Sequence, residues 1–128
     1  MNRQIEFRGK RLDNGEWVHG SLIGNDVIVG EIVDFEDEYF NTEFWYRVDQ
    51  STVGQFTGLV DKNMKRIYEH DIIKGHEWEK GKSYRHIGIV KYFGSSFRSI
   101  GINKYLGFHG SVDGSYEVIG NIFDKENK

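Results

Sequence analysis

The sequence predicts a mainly β protein of short antiparallel strands and hairpins, with little helix. Three observations point there. Proline is absent and glycine occurs 16 times in 128 residues, so glycine has to make most of the turns. Aromatic residues make up 15% of the chain and stand with β-branched residues in short runs bounded by glycine, which is how strands read between turns. Where those runs are regular, apolar and polar residues alternate with the period of two of a half-buried strand.

A chain of 128 residues suffices for one domain or two small β units. There is no cysteine, which removes disulfides, thiol nucleophiles and thiolate metal sites and makes a reducing cytoplasm the natural setting. No segment approaches the ~18 consecutive apolar residues of a membrane helix, and no secretory signal opens the chain. A soluble intracellular protein without a membrane partner is expected. Charge is divided unevenly. Residues 1–50 hold 5 Lys+Arg against 11 Asp+Glu, a net of −6, whereas residues 51–128 hold 12 against 9, a net of +3; together they give −3. No Lys or Arg stands between Arg11 and Arg47, and no Asp or Glu between Glu79 and Asp113. This predicts an acidic β unit over residues 1–54 and a basic β unit over residues 55–128.

Taken in order, residues 4–23 read as a β-hairpin. Ile5 and Phe7 alternate with Glu6 and Arg8, Asn14 and Gly15 suit a two-residue type I′ turn, and Gly9 and Gly20 are bulge candidates. Residues 25–34, NDVIVGEIVD, fit one strand kinked at Gly30 or two short ones. In residues 35–49 the acids Glu36, Asp37 and Glu38 read as a solvated loop, the aromatics as core, and residues 44–48 as a strand. A calcium loop is not indicated, because the alternate ligands and the glycine at the sixth position are missing. Residues 60–63, VDKN, form a turn whose Asp61 and Asn63 suit bonds to nearby amides. Ile67 and Tyr68 then lead through an acidic turn to a strand at Ile72 and Ile73. Met64, Ile67, Tyr68 and Ile72 also approach helical spacing, but the β-branched pair favours strand. Asp71 is placed to accept backbone N–H groups at the start of that strand; pairing with Glu69 as an acid and base is the less economical alternative. Residues 75–86 read as a polar loop, 87–93 as a strand with Ile87 and Ile89 on one face, 94–96 as a turn, 97–102 as its hairpin partner, 103–114 as irregular, 115–123 as the closing strand, and the end of the chain as a charged tail.

The block over residues 55–74, QFTGLVDKNMKRIYEHDIIK, with an I-x-F-R opening at Ile5 and an EVIGN ending at residues 117–121, resembles the signature of the YopX family, proteins found mainly in phages and prophages of low-GC Gram-positive bacteria. Thr57, Gly58, Asp61, Ile67, Tyr68, Glu69, Asp71 and Ile72 carry the match. Met64 and His70 stand where family members commonly have glycine, and a left-handed backbone at His70 would carry strain. The resemblance implies a barrel-like β fold, with residues 55–128 as the barrel-like unit, together with a homo-oligomer, the cytoplasm of a phage-infected or lysogenic bacterium, and no catalytic residues.

The search for catalytic signatures is negative. No G-x-S-x-G, phosphate-binding loop, G-x-G-x-x-G or H-E-x-x-H occurs, so neither an enzyme nor a cofactor is expected. His70, Asp71, His76 and Glu77 are the densest set of metal-ligating types, and read as ordinary polar loop residues. From residue 80 to 105 the cations Lys80, Lys82, Arg85, Lys91, Arg98 and Lys104 interleave with Tyr84, Tyr92, Phe93, Phe97 and Tyr105, and all but Lys80 are the candidate nucleic-acid contacts. Cations with stacking aromatics on a small β-barrel suit single-stranded nucleic acid. Two other binding roles fit the charge layout: self-association of complementary acidic and basic units, and capture of a host protein by the acidic face.

Overall fold

The computed structural model describes residues 5–30, 32–35, 40–42, 44–94 and 96–124. It is mainly antiparallel β, with a curled half-barrel sheet and a second sheet; the only helical turns among the described residues are of 3-10 type, at Gln50–Thr52 and Asn103–Tyr105. The chain divides into two compact units, Met1–Phe56 and Thr57–Lys128. Residues 51–56 are uncharged, so the units carry the −6 and +3 of the sequence.

The first unit contains β1 (Phe7–Lys10), β2 (Trp17–Ile23), β3 (Val27–Val29), β4 (Ile32–Phe35), β5 (Phe40–Thr42) and β6 (Trp45–Arg47). Strand β7 (Gly54–Val60) begins here and ends in the second unit. Its first residues pair with β1, giving the order β6-β3-β2-β1-β7, while β4 and β5 form a separate ribbon. Gly30 divides residues 25–34 into two short strands. Ile28, Val29, Val48 and Phe56 are buried.

Two details differ from the sequence reading. The β1–β2 turn is not a two-residue type I′. Arg11 and Glu16 close a four-residue loop in which only Gly15 takes a positive φ (75°). The reason is side-chain bonding: the Arg11 guanidinium donates twice to Asp13, at 2.9 and 2.7 Å, and Asn14 Oδ1 accepts the Glu16 N–H at 2.9 Å. Gly9 and Gly20 are not bulges either, since the β1–β2 register runs unbroken from Phe7↔Gly20 to Lys10↔Trp17. They are small for packing: a Cβ on Gly9 would lie 3.0 Å from Val48, and one on Gly20 would strike the Val29 carbonyl. Glu36, Asp37, Glu38 and the tail from Lys125 lie outside the described residues.

The second unit holds β8 (Arg66–Tyr68), paired with β7, and a five-stranded sheet in the order β12-β11-β10-β9-β13. Its strands are β9 (Asp71–Glu79), β10 (Lys82–Phe93), β11 (Ser96–Gly101), β12 (His109–Gly110) and β13 (Glu117–Asn121). The polar loop expected over residues 75–86 is instead the end of a long hairpin. Glu79 pairs with Lys82, leaving Lys80 and Gly81 as a two-residue turn with φ of 53° and 81°. The segment is strand, but its inward positions include Gly75, Glu77 and His86 in place of an apolar series, so no apolar alternation marked it. Residues opposite each other share a face. The register therefore puts Ile73, Gly75, Glu77, Tyr84, His86, Gly88, Val90, Phe97 and Ser99 on the inner face. Ile67, Ile73, Val90 and Tyr116 form its buried core, with Phe97, Val112 and Val118 packed around them. Tyr116 lies directly on β9, because a Cβ on Gly75 would be 2.7 Å from its ring.

The Lys80–Gly81 turn generates a prediction. Type I′ turns favour Asn at the first central position, where other residues pay for positive φ. Lys80→Asn should stabilise the protein by on the order of 1 kcal/mol and raise Tm by about 4 °C in thermal melts followed by circular dichroism; an unchanged or lower Tm would show that the turn is not strained.

Candidate nucleic-acid interface

The signature block builds the scaffold beneath the basic face. Asp61, 2% exposed, accepts three backbone N–H groups: Asn63 and Lys65 at 2.8 Å on Oδ1 and Val118 at 2.9 Å on Oδ2. One carboxylate thus closes the 61–65 turn and ties it to β13. Burial pushes the Asp61 carboxyl up, but the N–H groups of Val118, Lys65 and Asn63 outweigh it and hold the group below its ordinary value. Asp71, also buried, accepts the Tyr68 N–H at 2.8 Å, and Thr57 Oγ1 donates to the Ile67 carbonyl at 2.8 Å. Ile67 and Tyr68 are buried, Glu69 and Ile72 half-buried, and Gly58 takes a φ of 92°. Met64 and His70 adopt left-handed backbone, with φ of 68° and 80°. His70 is held there by its N–H to the Val90 carbonyl at 2.8 Å, by Ile122 N–H on its own carbonyl at 3.2 Å, and by the edge of its ring against Phe123.

A polar network closes the inner face. The Tyr116 hydroxyl donates to Glu77 Oε2, which also accepts from Ser111 N–H at 3.1 Å. Burial, and then the bond to Glu77, push the Tyr116 phenol far up, so it stays protonated. His86 Nε2 lies 3.0 Å from Ser99 Oγ. Burial pushes His86 down, against the opposing bond to Ser99, and the imidazole is neutral at pH 7. His76 and Glu77 are successive residues of β9 and face opposite ways. Among the described residues no three His, Asp or Glu side chains gather as a metal site.

The five candidate cations are all exposed. Arg85 on β10 and Lys104 in the second 3-10 turn converge on a hollow of about 460 Å³, lined also by Tyr84, Tyr105 and Phe108. Tyr84 and Phe108 are 6.0 Å apart with their rings tilted by 55°, and the Lys104 ammonium lies 5.6 Å from the centre of the Tyr105 ring. Lys91 and Arg98 are cross-strand partners of β10 and β11. A second hollow, of about 410 Å³, is lined by Arg98, Phe97, His109 and Ser111 among others. Lys82 is separate, at the hairpin end and on the opposite face of β10 from Arg85 and Lys91. Phe108 was not legible as part of a site, because residues 103–114 have no strand period; only Gly107 beside it hinted at a turn, and its φ is 91°.

The Asp61 geometry predicts a pH effect. Its lowered carboxyl contributes stability that is whole above the ordinary value of 3.8 and is lost as pH falls through the folded-state value. Asp61→Asn, which keeps one acceptor oxygen and gains a donor, should cost about 2–3 kcal/mol at pH 7. In urea melts the gap from wild type should narrow towards about pH 3; a gap constant with pH would assign the loss to packing alone.

Compared with known proteins, residues 6–127 match the YopX protein family. No curated protein matches the chain. Among solved structures it is similar to protein EF1440 from Enterococcus faecalis, with a TM-score of 0.57 and 22% identity over 94% of each chain. That likeness is one of fold. The match over nearly the whole length, together with the Asp61 and Asp71 anchors of the signature block, establishes that the chain belongs to the YopX family.

Proposed function

We propose that this protein works by binding and not by catalysis, as a homo-oligomeric accessory protein of phage or prophage origin in the bacterial cytoplasm, and that its basic unit takes single-stranded nucleic acid. The observation that carries the reading is the hollow where Arg85 and Lys104 meet Tyr84, Tyr105 and Phe108. Aromatic faces stack bases without regard to sequence, at about 1–3 kcal/mol each. A guanidinium and an ammonium beside them suit the phosphates between those bases. The hollow falls within the roughly 300–1,000 Å³ of small-ligand sites, enough for one nucleotide unit. It belongs to a unit of charge +3 whose residues 80–112 contain no acid.

Fluorescence anisotropy of labelled 12-nucleotide DNA and RNA tests the reading. Binding is expected at ~50 mM salt and should weaken steeply towards ~200 mM. Tyr105→Ala should lower affinity by about fivefold or more, and Lys104→Ala should flatten the salt slope by about 0.7. Absence of any signal at the lower salt for either polymer would end it.

The charge division favours self-association of the acidic unit of one copy with the basic unit of another. Light scattering should give more than one chain mass at ~50 mM salt and a smaller mass at ~1 M, where the Debye length is about 3 Å. A single-chain mass at low salt, or a mass indifferent to salt, would count against it.

A further inference from the structure

Nothing in the buried network of Glu77, Tyr116, His86 and Ser99 uses the other side of the same sheet. The register assigns that outer face. Trp78 lies opposite Ser83, His76 opposite Arg85, Lys74 opposite Ile87, and Ile72 opposite Ile89. Lys91 lies opposite Arg98, and Ile100 opposite both Ile89 and His109. The middle is a half-buried strip of Ile72, Ile87, Ile89 and Ile100. Exposed aromatics stand towards its two ends: Trp78 is 73% and Phe93 57% exposed. Phe93 meets the edge of the His109 ring at 6.0 Å. Arg85, Lys91 and Arg98 are exposed between these aromatics. Glu117, opposite Lys74 on β13, is the acid that the register places on this face, and its carboxylate lies 3.9 Å from the Lys62 ammonium.

The hollows border this face only through its cations, since Tyr84, which lines the first hollow, is on the inner side of β10 with Phe108 beside it. Arg85 lines the first and Arg98 the second. Arg85 and Lys91 are six residues apart on one strand, about 20 Å at the rise of a β-strand. A large apolar side chain left in water costs free energy that a stacked base would recover. Cations between two such side chains supply charge for the phosphates that separate the bases.

We propose that the outer face of β9, β10 and β11 is an extended platform for a nucleic-acid single strand, with Trp78 and Phe93 stacking bases near its two ends and Arg85, Lys91 and Arg98 neutralising the phosphates between. This rests on the single-strand reading above and extends it from one hollow to a whole face. From Ser83, beside Trp78, to Phe93 is ten residues of β10, about 33 Å. At roughly 3.4 Å per stacked nucleotide, a strand of about ten nucleotides spans both aromatics, within the range of about 4–16 known for small β-barrels.

Trp78 reports on its own site. Titration with oligo-dT of 12 nucleotides should quench the intrinsic tryptophan fluorescence, and Trp78→Phe should abolish that quenching while leaving Trp17 and Trp45 in place. Trp78→Ala and Phe93→Ala should each weaken the 12-nucleotide ligand by about fivefold or more, with thermal melts confirming that these exposed substitutions leave the fold intact. Affinity should climb between about 4 and 12 nucleotides and then level off. Lys91→Ala with Arg98→Ala should reduce the salt slope by about 1.4. If oligo-dT binds and Tyr105→Ala weakens it, but Trp78→Ala and Phe93→Ala stay within twofold of wild type, the platform is overturned and the hollow stands alone. If no oligonucleotide binds, the platform falls together with the reading beneath it.

Discussion

The burial of Tyr116 against Gly75 is the contact on which the second unit depends. A tyrosine ring can lie flat on a strand only where the strand has no side chain, and a Cβ at Gly75 would be 2.7 Å from the ring. The same close approach brings the hydroxyl to Glu77, on the same face of β9. Burying a phenol without a partner would cost several kcal/mol, so ring and carboxylate belong together. Asp61 holds the other side of this arrangement: it bonds Val118, two residues beyond Tyr116, and the Tyr116 carbonyl accepts the Lys62 N–H at 3.0 Å. The turn of the signature block and the closing strand are thereby one structure.

Filling the inner face has a consequence for the outer one. A strand offers only two faces, alternating residue by residue. His86, Gly88 and Val90 are committed inward, so Arg85, Ile87, Ile89 and Lys91 are directed outward. The same alternation on β11 sends Ser99 in and Arg98 out. The cations are therefore gathered beside apolar surface by the requirements of the core, and the single-stranded nucleic acid proposed above would use both. Neutral His86 beside Ser99 keeps charge out of the interior.

The first unit shows the same logic with opposite charge. Its core is small, and two glycines allow β1 and β2 to approach Val48 and Val29. Cations here are already engaged: Arg11 lies 3.7 Å over the Tyr46 ring and grips Asp13, and Arg47 meets Asp26 at 3.0 Å. The surplus acids leave the unit at −6, a potential that would steer cationic surfaces towards it.

Much of the fold was written in local sequence. Glycine without proline, alternation over residues 87–93, and the acids at Asp61 and Asp71 depend on neighbours a few residues away, so the β class, the β10–β11 hairpin and the amide-binding carboxylates could be read directly. The left-handed backbone at His70 was suggested only by the family resemblance, where glycine is usual at that position; the one at Met64 was not read from the sequence. Tertiary structure decided what distance in sequence conceals. Trp78 was hidden in a segment that reads as loop, because a hairpin end with an exposed face has no apolar stripe to mark it, and only pairing with Ser83 reveals the strand. Phe108 joins Arg85 through a turn that has no period at all. Which cations of different strands stand side by side depends on pairing: the β10–β11 register sets Lys91 beside Arg98, and the β9–β10 register sets Arg85 beside His76.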